Sequence, residues 1–446
     1  MSLLHSITLP RSPLASIGAA VAIAVAGIAT GLTSALYPEF APLVAAGALL
    51  LTLALFDLSL VLVLAIPAVF VVTRVGPMSG ADVALFAATI IAMLMLRGGG
   101  AEKLQPMLWA GALYVGLTAP QLILNPYAEN VVEWVHQAVL VLGSLIVGFA
   151  IGRAGRARLA LSIYVIICCA IAVAAIFTSV TNGFGAVYLG MWHKNAIGSF
   201  LMFGAVIAFA NPPWLRWSPT IGYAAFALCG LGMLAAQSRQ SLVGALVGVL
   251  IVGLRPRFHN GKRSRWIWFL LVPIAWFVYS EVVEQLATGD KFNSASQRLI
   301  WYGDSITVWL MSPLFGVGNR WWITGHTGYS GFQPPNAELE VLTTVGVLGL
   351  IGFLGMFGAA MWLLWRKDPV YGTLGLAIVA ARFVQGQFDL YWVASHASLL
   401  WIVVGICYGV QEHDRLKGVV WTPHPVQTLF RRESFTPRRR TVGVYR

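Results

Sequence analysis

Apolar runs, each long enough to cross a bilayer and joined by only a few polar residues, dictate what this chain can fold into. A spanning helix needs roughly 17 to 25 predominantly apolar residues. Stretches of that kind lie near residues 14–35, 40–56, 58–74, 80–96, 104–123, 131–152, 158–180, 195–211, 217–235, 239–254, 266–284, 338–365, 371–388 and 392–410. The joints at Asp57 and Arg239 are tight enough for the flanking runs to be halves of broken or re-entrant helices, so twelve to fourteen spans are expected. Composition agrees: 58% of the residues are hydrophobic and 10% charged, against about 25% charged in a soluble domain. The alternation of a transmembrane barrel is not found. The fold class read from these patterns is an all-α polytopic membrane protein.

The formal net charge of +12 suggests nucleic acid until its placement is followed. With the N-terminus inside, the loops expected inside carry Arg97, Lys103, Arg153, Arg156, Arg158, Arg216, Arg255, Arg257, Lys262, Arg263, Arg265, Arg366 and Lys367. With Arg11 and the eight cations of the tail from His413 onward, they make 22 of the 29 basic residues. This is the positive-inside bias of a multi-pass membrane protein with both termini cytoplasmic. The basic tail is expected to be disordered and to lie near anionic lipid; no nucleic-acid partner is expected. The first apolar run, about 22 residues long, exceeds a typical signal core, so no cleavable signal peptide is expected. Cys168, Cys169, Cys229 and Cys407 all fall inside apolar runs. They form no disulfide framework, and no Cys/His metal spacing accompanies them.

Between residues 285 and 337 the pattern changes to a polar stretch of 53 residues. A loop of that length is unusual unless it is used, and Trp301, Tyr302, Trp309, Trp321 and Trp322 mark it as folded. The organisation read from this is a bundle of about eleven spans over 1–284, a large extracytoplasmic loop over 285–337, C-terminal spans over 338–410 and a basic tail over 411–446.

The cations left outside run against the orientation bias. Arg74 and Lys291 suit snorkelling at span ends. Lys194, with His193 and Asn195, opens an apolar run, where free amide groups and the positive dipole end of a helix favour an anion. Arg239 lies close to hydrocarbon, which is costly unless it is paired or faces a wet cavity. Arg382 is deeper still, with Asp389 as its simplest partner. Arg298 opens an amphipathic segment with Trp301 and Trp309, suited to the interface, and Arg320 follows in the same loop. Several ammonium and guanidinium groups on one face suit an anionic ligand carried in the outer leaflet. A lipid-linked diphosphate fits, because arginine grips phosphate oxygens in bidentate fashion.

Three local sequences resemble the O-antigen ligase and polymerase superfamily, which includes exopolysaccharide polymerases. They are HKNAIG at 193–198, SRQSLVG at 238–244, and a loop signature. The signature runs from Arg298 through SPLFGVG at 312–318 to NAELEVL at 336–342 and GVLGL at 346–350. The matched core spans roughly 190–365. The resemblance implies a GT-C-like membrane glycosyltransferase that moves saccharide from a polyprenyl-diphosphate donor to a glycan or lipid-glycan acceptor hydroxyl. The donor already lies in the bilayer, which accounts for the missing nucleotide cradle; no cofactor or metal is expected. One departure stands out: ligases of this family carry a histidine just before Asn336, and this chain has Pro335.

Under that resemblance, Lys194, Arg239 and Arg298, with Arg320, would hold the diphosphate as negative charge builds on the leaving oxygen. His326 or Glu338 would act as general base, and His326 titrates nearer neutrality. His193, Asn195, Asn336 and Trp301 would line the substrate. Polymerase is favoured over ligase because of Pro335. A peptidoglycan polymerase has similar hydropathy but lacks the SPLFGVG and HKN segments. A lipid-linked glycan transporter or flippase is the alternative from another class, although no internal repeat supports it.

Overall fold

Wherever the chain is described, the expected apolar runs are helices. The computed structural model describes residues 27, 28, 31, 57–75, 78–185, 187–255, 294–326, 333–392, 394–424 and 434–439. The runs expected near 40–56 and 266–284, and nearly all of 14–35, lie outside the described residues.

The helices are α1 (Leu58–Ala68), α2 (Gly80–Met95), α3 (Glu102–Leu124), α4 (Ala128–Arg153), α5 (Ala157–Thr181), α6 (Lys194–Ala210), α7 (Pro219–Ala235) and α8 (Arg239–Leu254). After them come α9 (Ser294–Met311), α10 (Ala337–Arg366), α11 (Pro369–Gly386) and α12 (Ala394–Lys417). Among the described residues, α3, α4, α5 and α10 are long and apolar enough to cross a membrane, and α1, α2, α6, α7 and α8 are shorter apolar helices. Strands occur only as two hairpins, β1 (Arg74–Val75) with β2 (Met78–Ser79) and β3 (Val419–His424) with β4 (Ser434–Arg439). The architecture is that of an all-α polytopic membrane protein.

Helix starts follow local chemistry. Ser79 and Asp82 form a capping box on α2, Ser218 caps α7 ahead of Pro219, and Asp368 caps α11 ahead of Pro369. Each cap satisfies an amide that the first turn leaves without an intrahelical acceptor.

The bundle closes where side chains vanish. Gly148 and Gly152 of α4 face Gly405 and Gly409 of α12, and a Cβ on any of the four would overlap backbone atoms of the other helix. Between apolar helices in lipid there is no hydrophobic force to exploit, so close backbone approach through small residues supplies the contact.

One end of the bundle collects the basic residues. Arg156 pairs with Asp57, Arg153 donates to the Gly99 carbonyl (2.7 Å), and Arg255 donates to the carbonyls of Trp365 and Lys367. Burial alone would raise the Asp57 carboxyl, but the Ser59 hydroxyl and Arg156 outweigh it and hold it below the usual carboxylate value. The tail departs from expectation here. Instead of being disordered from His413, α12 continues to Lys417 and a hairpin follows. Asp414 explains the order, because it accepts from Tyr371 Oη (3.0 Å) and Trp421 Nε1 (2.7 Å) and pins the hairpin to α11.

Candidate functional site

The opposite end of the bundle carries the long loop, and its most family-like segment is a backbone joint. Helix α10 is interrupted at Gly346, whose φ of 70° and ψ of −169° are not helical. The residues of SPLFGVG run alongside the break. Val317 and Gly318 N–H donate to the carbonyls of Thr343 and Thr344 (2.9 and 2.8 Å), while Val347 and Leu348 N–H donate to those of Pro313 and Leu314 (2.9 and 3.3 Å). A Cβ on Gly316 or Gly346 would collide with the opposing backbone. Non-helical backbone is tolerated at this depth because its groups are paired inside the protein.

The other two motifs interlock in the same way. A Cβ on Gly198 of α6 would strike Ser238 and Ser241 of α8. From α11, Gln385 Nε2 donates to Ser199 Oγ (2.6 Å) and Ser241 Oγ (3.1 Å). Three helices are thereby locked by buried polar groups that satisfy one another, the condition under which such groups are tolerated.

Above this lock the N-termini of α6, α8 and α10 meet the C-terminus of α11. Lys194 and Arg239 are the first residues of α6 and α8. Gln240 Nε2 reaches Asp389 Oδ2 (2.5 Å) beyond α11. Asn336 caps α10 by accepting from Leu339 N–H (2.9 Å) and donates Nδ2 to the Gln387 carbonyl (3.1 Å). Glu338 takes a hydrogen bond from Gln387 Nε2. His193 caps α6, with Nδ1 accepting from Asn195 N–H (3.3 Å), and the Asn195 carbonyl accepts from Ser199 Oγ (2.9 Å). Burial, and then the Lys194 ammonium, hold the His193 pKa below the usual imidazole value, with Asp389 pulling the other way. A neutral ring is what the cap requires, since Nδ1 must keep its lone pair. Three helix N-termini bearing two cations make this end receptive to anionic oxygen.

The remaining expected residues are placed elsewhere at the same end. Arg320 lies 3.8 Å from Glu133 of α4, which also faces His136 Nδ1 (3.2 Å), and His136 Nε2 faces Asp82 of α2 (2.8 Å). His326 is exposed and packs on the Tyr127 ring, centroids 4.5 Å apart. Arg298 falls in the first turns of α9, where only the backbone is described. Trp301, on the same helix, is half-buried. Thus Lys194, Arg239, His193, Asn195, Asn336 and Glu338 gather around α6, α8, α10 and α11, whereas Arg320 and His326 sit against α3 and α4.

Arg382 directs its hydrogen bonds away from Asp389: its guanidinium donates to Gln385 Oε1 (3.0 Å) and to the carbonyls of Leu390 and Tyr391 (2.8 Å each), while Asp389 acts on it through space. The chain bends back after Gln387 and presents these carbonyls to a fully buried arginine, a structural use of the charge.

Two features were missed from the sequence. The chain Asp82–His136–Glu133–Arg320 joins residues far apart, and its only local signal was Glu133 and His136 at i, i+3 on a helix. Glu340, 3% exposed, lay in a quoted motif, but its spacing said nothing of its burial.

An all-α membrane bundle whose cation-bearing helix ends converge defines a membrane protein with an anion-receptive end. Residues 224–354 match the family model described as O-antigen ligase, within the stretch whose motifs resemble the O-antigen ligase and polymerase superfamily. The match takes in Arg239, Arg298, Arg320, Asn336, Glu338 and the break at Gly346, and leaves the 193–198 motif outside. No match was found among curated proteins.

Proposed function

We propose that this protein is a glycosyltransferase that polymerises surface glycan, transferring saccharide from a polyprenyl-diphosphate donor to an acceptor hydroxyl on the outer face of a bacterial inner membrane. The observation that carries the reading is the meeting of Lys194 and Arg239, each at a helix N-terminus, beside Asn336 and Glu338 of the family-matched stretch. Preorganised cations and amide dipoles in a site shielded from water stabilise a diphosphate leaving group as its charge develops. Arg298, on the helix that leads into the site, is assigned to the same clamp, and Arg320 to the loop wall. Transfer to a growing chain is favoured over ligation to a lipid acceptor because Pro335 stands where ligases of the family carry histidine.

The test is glycan length in a strain lacking the protein, complemented with Arg239→Ala or Arg298→Ala at matched protein levels. Single repeat units displayed outside, with long chains lost, are expected in both. Ligation would instead leave long chains unattached to their acceptor. Lipid-linked units accumulating inside would point to a flippase and sink the transferase reading, and full activity in both variants would sink the clamp.

A further inference from the structure

Every described carboxylate in the ion pairs above has a cationic or imidazole neighbour: Asp57 has Arg156, Asp82 has His136, and Glu133 has His136 and Arg320. Glu340 is not among them, and it is the more deeply buried of the two α10 carboxylates that lack an ion pair among the described residues. It sits in the first turn of α10, 3% exposed, and forms no ion pair with any described residue. Its Oε1 accepts from Gln333 Nε2 (3.2 Å), the Tyr391 backbone amide lies close to the carboxyl, and Oε2 is buried without a well-aligned hydrogen bond among the described residues. Burying a carboxylate without a cation is expensive, and an ionisable group kept at that cost inside a membrane protein points to use.

Its surroundings say which use. Gln333 belongs to the last stretch of the loop, so the side chain engaging Oε1 comes from the loop's exit into α10. The titratable and charged groups facing Glu340 are Glu133 on α4, Arg382 on α11, Asp389 beyond it, Tyr114 on α3 and Tyr391 ahead of α12. Glu340 therefore lies between the two halves of the site, with the Arg320–Glu133 side on one flank and the α11 end with Asp389 on the other. Glu338, two residues earlier, shares the pattern of one oxygen engaged by a glutamine, Gln387, and one buried without a partner among the described residues, but its side chain is only half-buried, whereas that of Glu340 is enclosed.

We infer that Glu340 is the catalytic carboxylate that takes the proton of the acceptor hydroxyl, an inference that rests on the transferase reading. The acceptor displaces the Gln333 amide and donates its hydroxyl to Glu340. As the acceptor oxygen bonds to the anomeric carbon, the bond from that carbon to the diphosphate oxygen breaks. The electron pair leaves with the diphosphate, the hydroxyl proton passes to Glu340, and solvent removes it after the products depart.

The experiment uses the purified full chain in lipid nanodiscs with a polyprenyl-diphosphate saccharide as donor and a saccharide acceptor. Glu340→Gln keeps the shape and an acceptor oxygen for Gln333, so a merely structural role predicts near-normal turnover. A base predicts that kcat falls by about 10² to 10⁴ with KM little changed and that the acid limb of the pH–rate profile disappears. Glu340→Asp is expected to keep partial activity with its acid limb displaced. Turnover of Glu340→Gln near that of the wild type, or an unaltered acid limb in Glu340→Asp, overturns the inference. Should Glu340→Gln fail to fold, Glu340→Asp alone decides by whether its limb moves. If the wild-type chain turns over no donor, the transferase reading fails first; if it does and Glu340→Gln matches it, only this assignment falls.

Discussion

Replacing Gly346 by alanine tests whether the most family-like part of the loop is a structural joint. The residue's φ of 70° and ψ of −169° lie in a region that side chains scarcely enter, at a strain of about 1–3 kcal/mol. The new Cβ would also fall on the Leu314 carbonyl and the Phe315 amide. The segment at 313–318 must then withdraw, loosening some of the four backbone hydrogen bonds that bind it to α10. Losing two of them, at about 0.5–1.5 kcal/mol each, brings the expected destabilisation to roughly 2–6 kcal/mol. Gly358 on the same helix is the control, because a Cβ there meets nothing within 4 Å. Gly358→Ala should be neutral or stabilise by up to about 1 kcal/mol through helix propensity. The assay is thermal unfolding of the full chain in detergent followed by tryptophan emission, with membrane yield as a second readout. If Gly346→Ala unfolds together with the wild type and Gly358→Ala, the joint does not bear the stability assigned to it.

Three further outcomes are expected. His136→Leu removes the ring between Asp82 and Glu133 and should cost about 3–5 kcal/mol; a double-mutant cycle with Asp82→Asn should recover much of that, measured by the same unfolding assay. Gly405→Leu drives a branched side chain into the α4 backbone and should lower the unfolding temperature sharply, whereas Ile166→Leu on the exposed face of α5 should not. The α6 cap should weaken in acid. The His193 pKa is depressed in the folded chain, so the unfolded chain binds the proton more readily. Its contribution is complete above the unfolded value, about 6.5, and is lost as pH falls through the folded value. His193→Asn, which caps without titrating, should flatten that part of the stability profile; an unchanged profile would show that His193 is not the cause.

The spans were legible because lipid imposes one rule on every segment that crosses it: about twenty apolar residues with all backbone groups paired within. Runs read near 80–96, 131–152 and 338–365 emerge as α2, α4 and α10. The gathering of basic residues at one end could also be read along the chain. The hydrogen-bond partners of Arg382 were not legible, because a buried arginine donates to any well-placed oxygen and sequence proximity pointed only to Asp389. The carbonyls of Leu390 and Tyr391 became partners only when the chain turned back after Gln387.

By itself the amino-acid sequence determined the membrane class, the helix positions, the end that carries the loop and the residue types available there. The tertiary structure decided what those residues are for. It divided the expected site residues, with Lys194 and Arg239 beside Asn336 and Arg320 held against Glu133. It turned SPLFGVG and Gly346 from a signature into a backbone joint, and it buried Glu340 without an ion pair among the described residues. Hydropathy and caps act over a few residues and are written along the chain. Burial and the pairing of charges depend on which helices meet, and that is set only when the whole bundle packs.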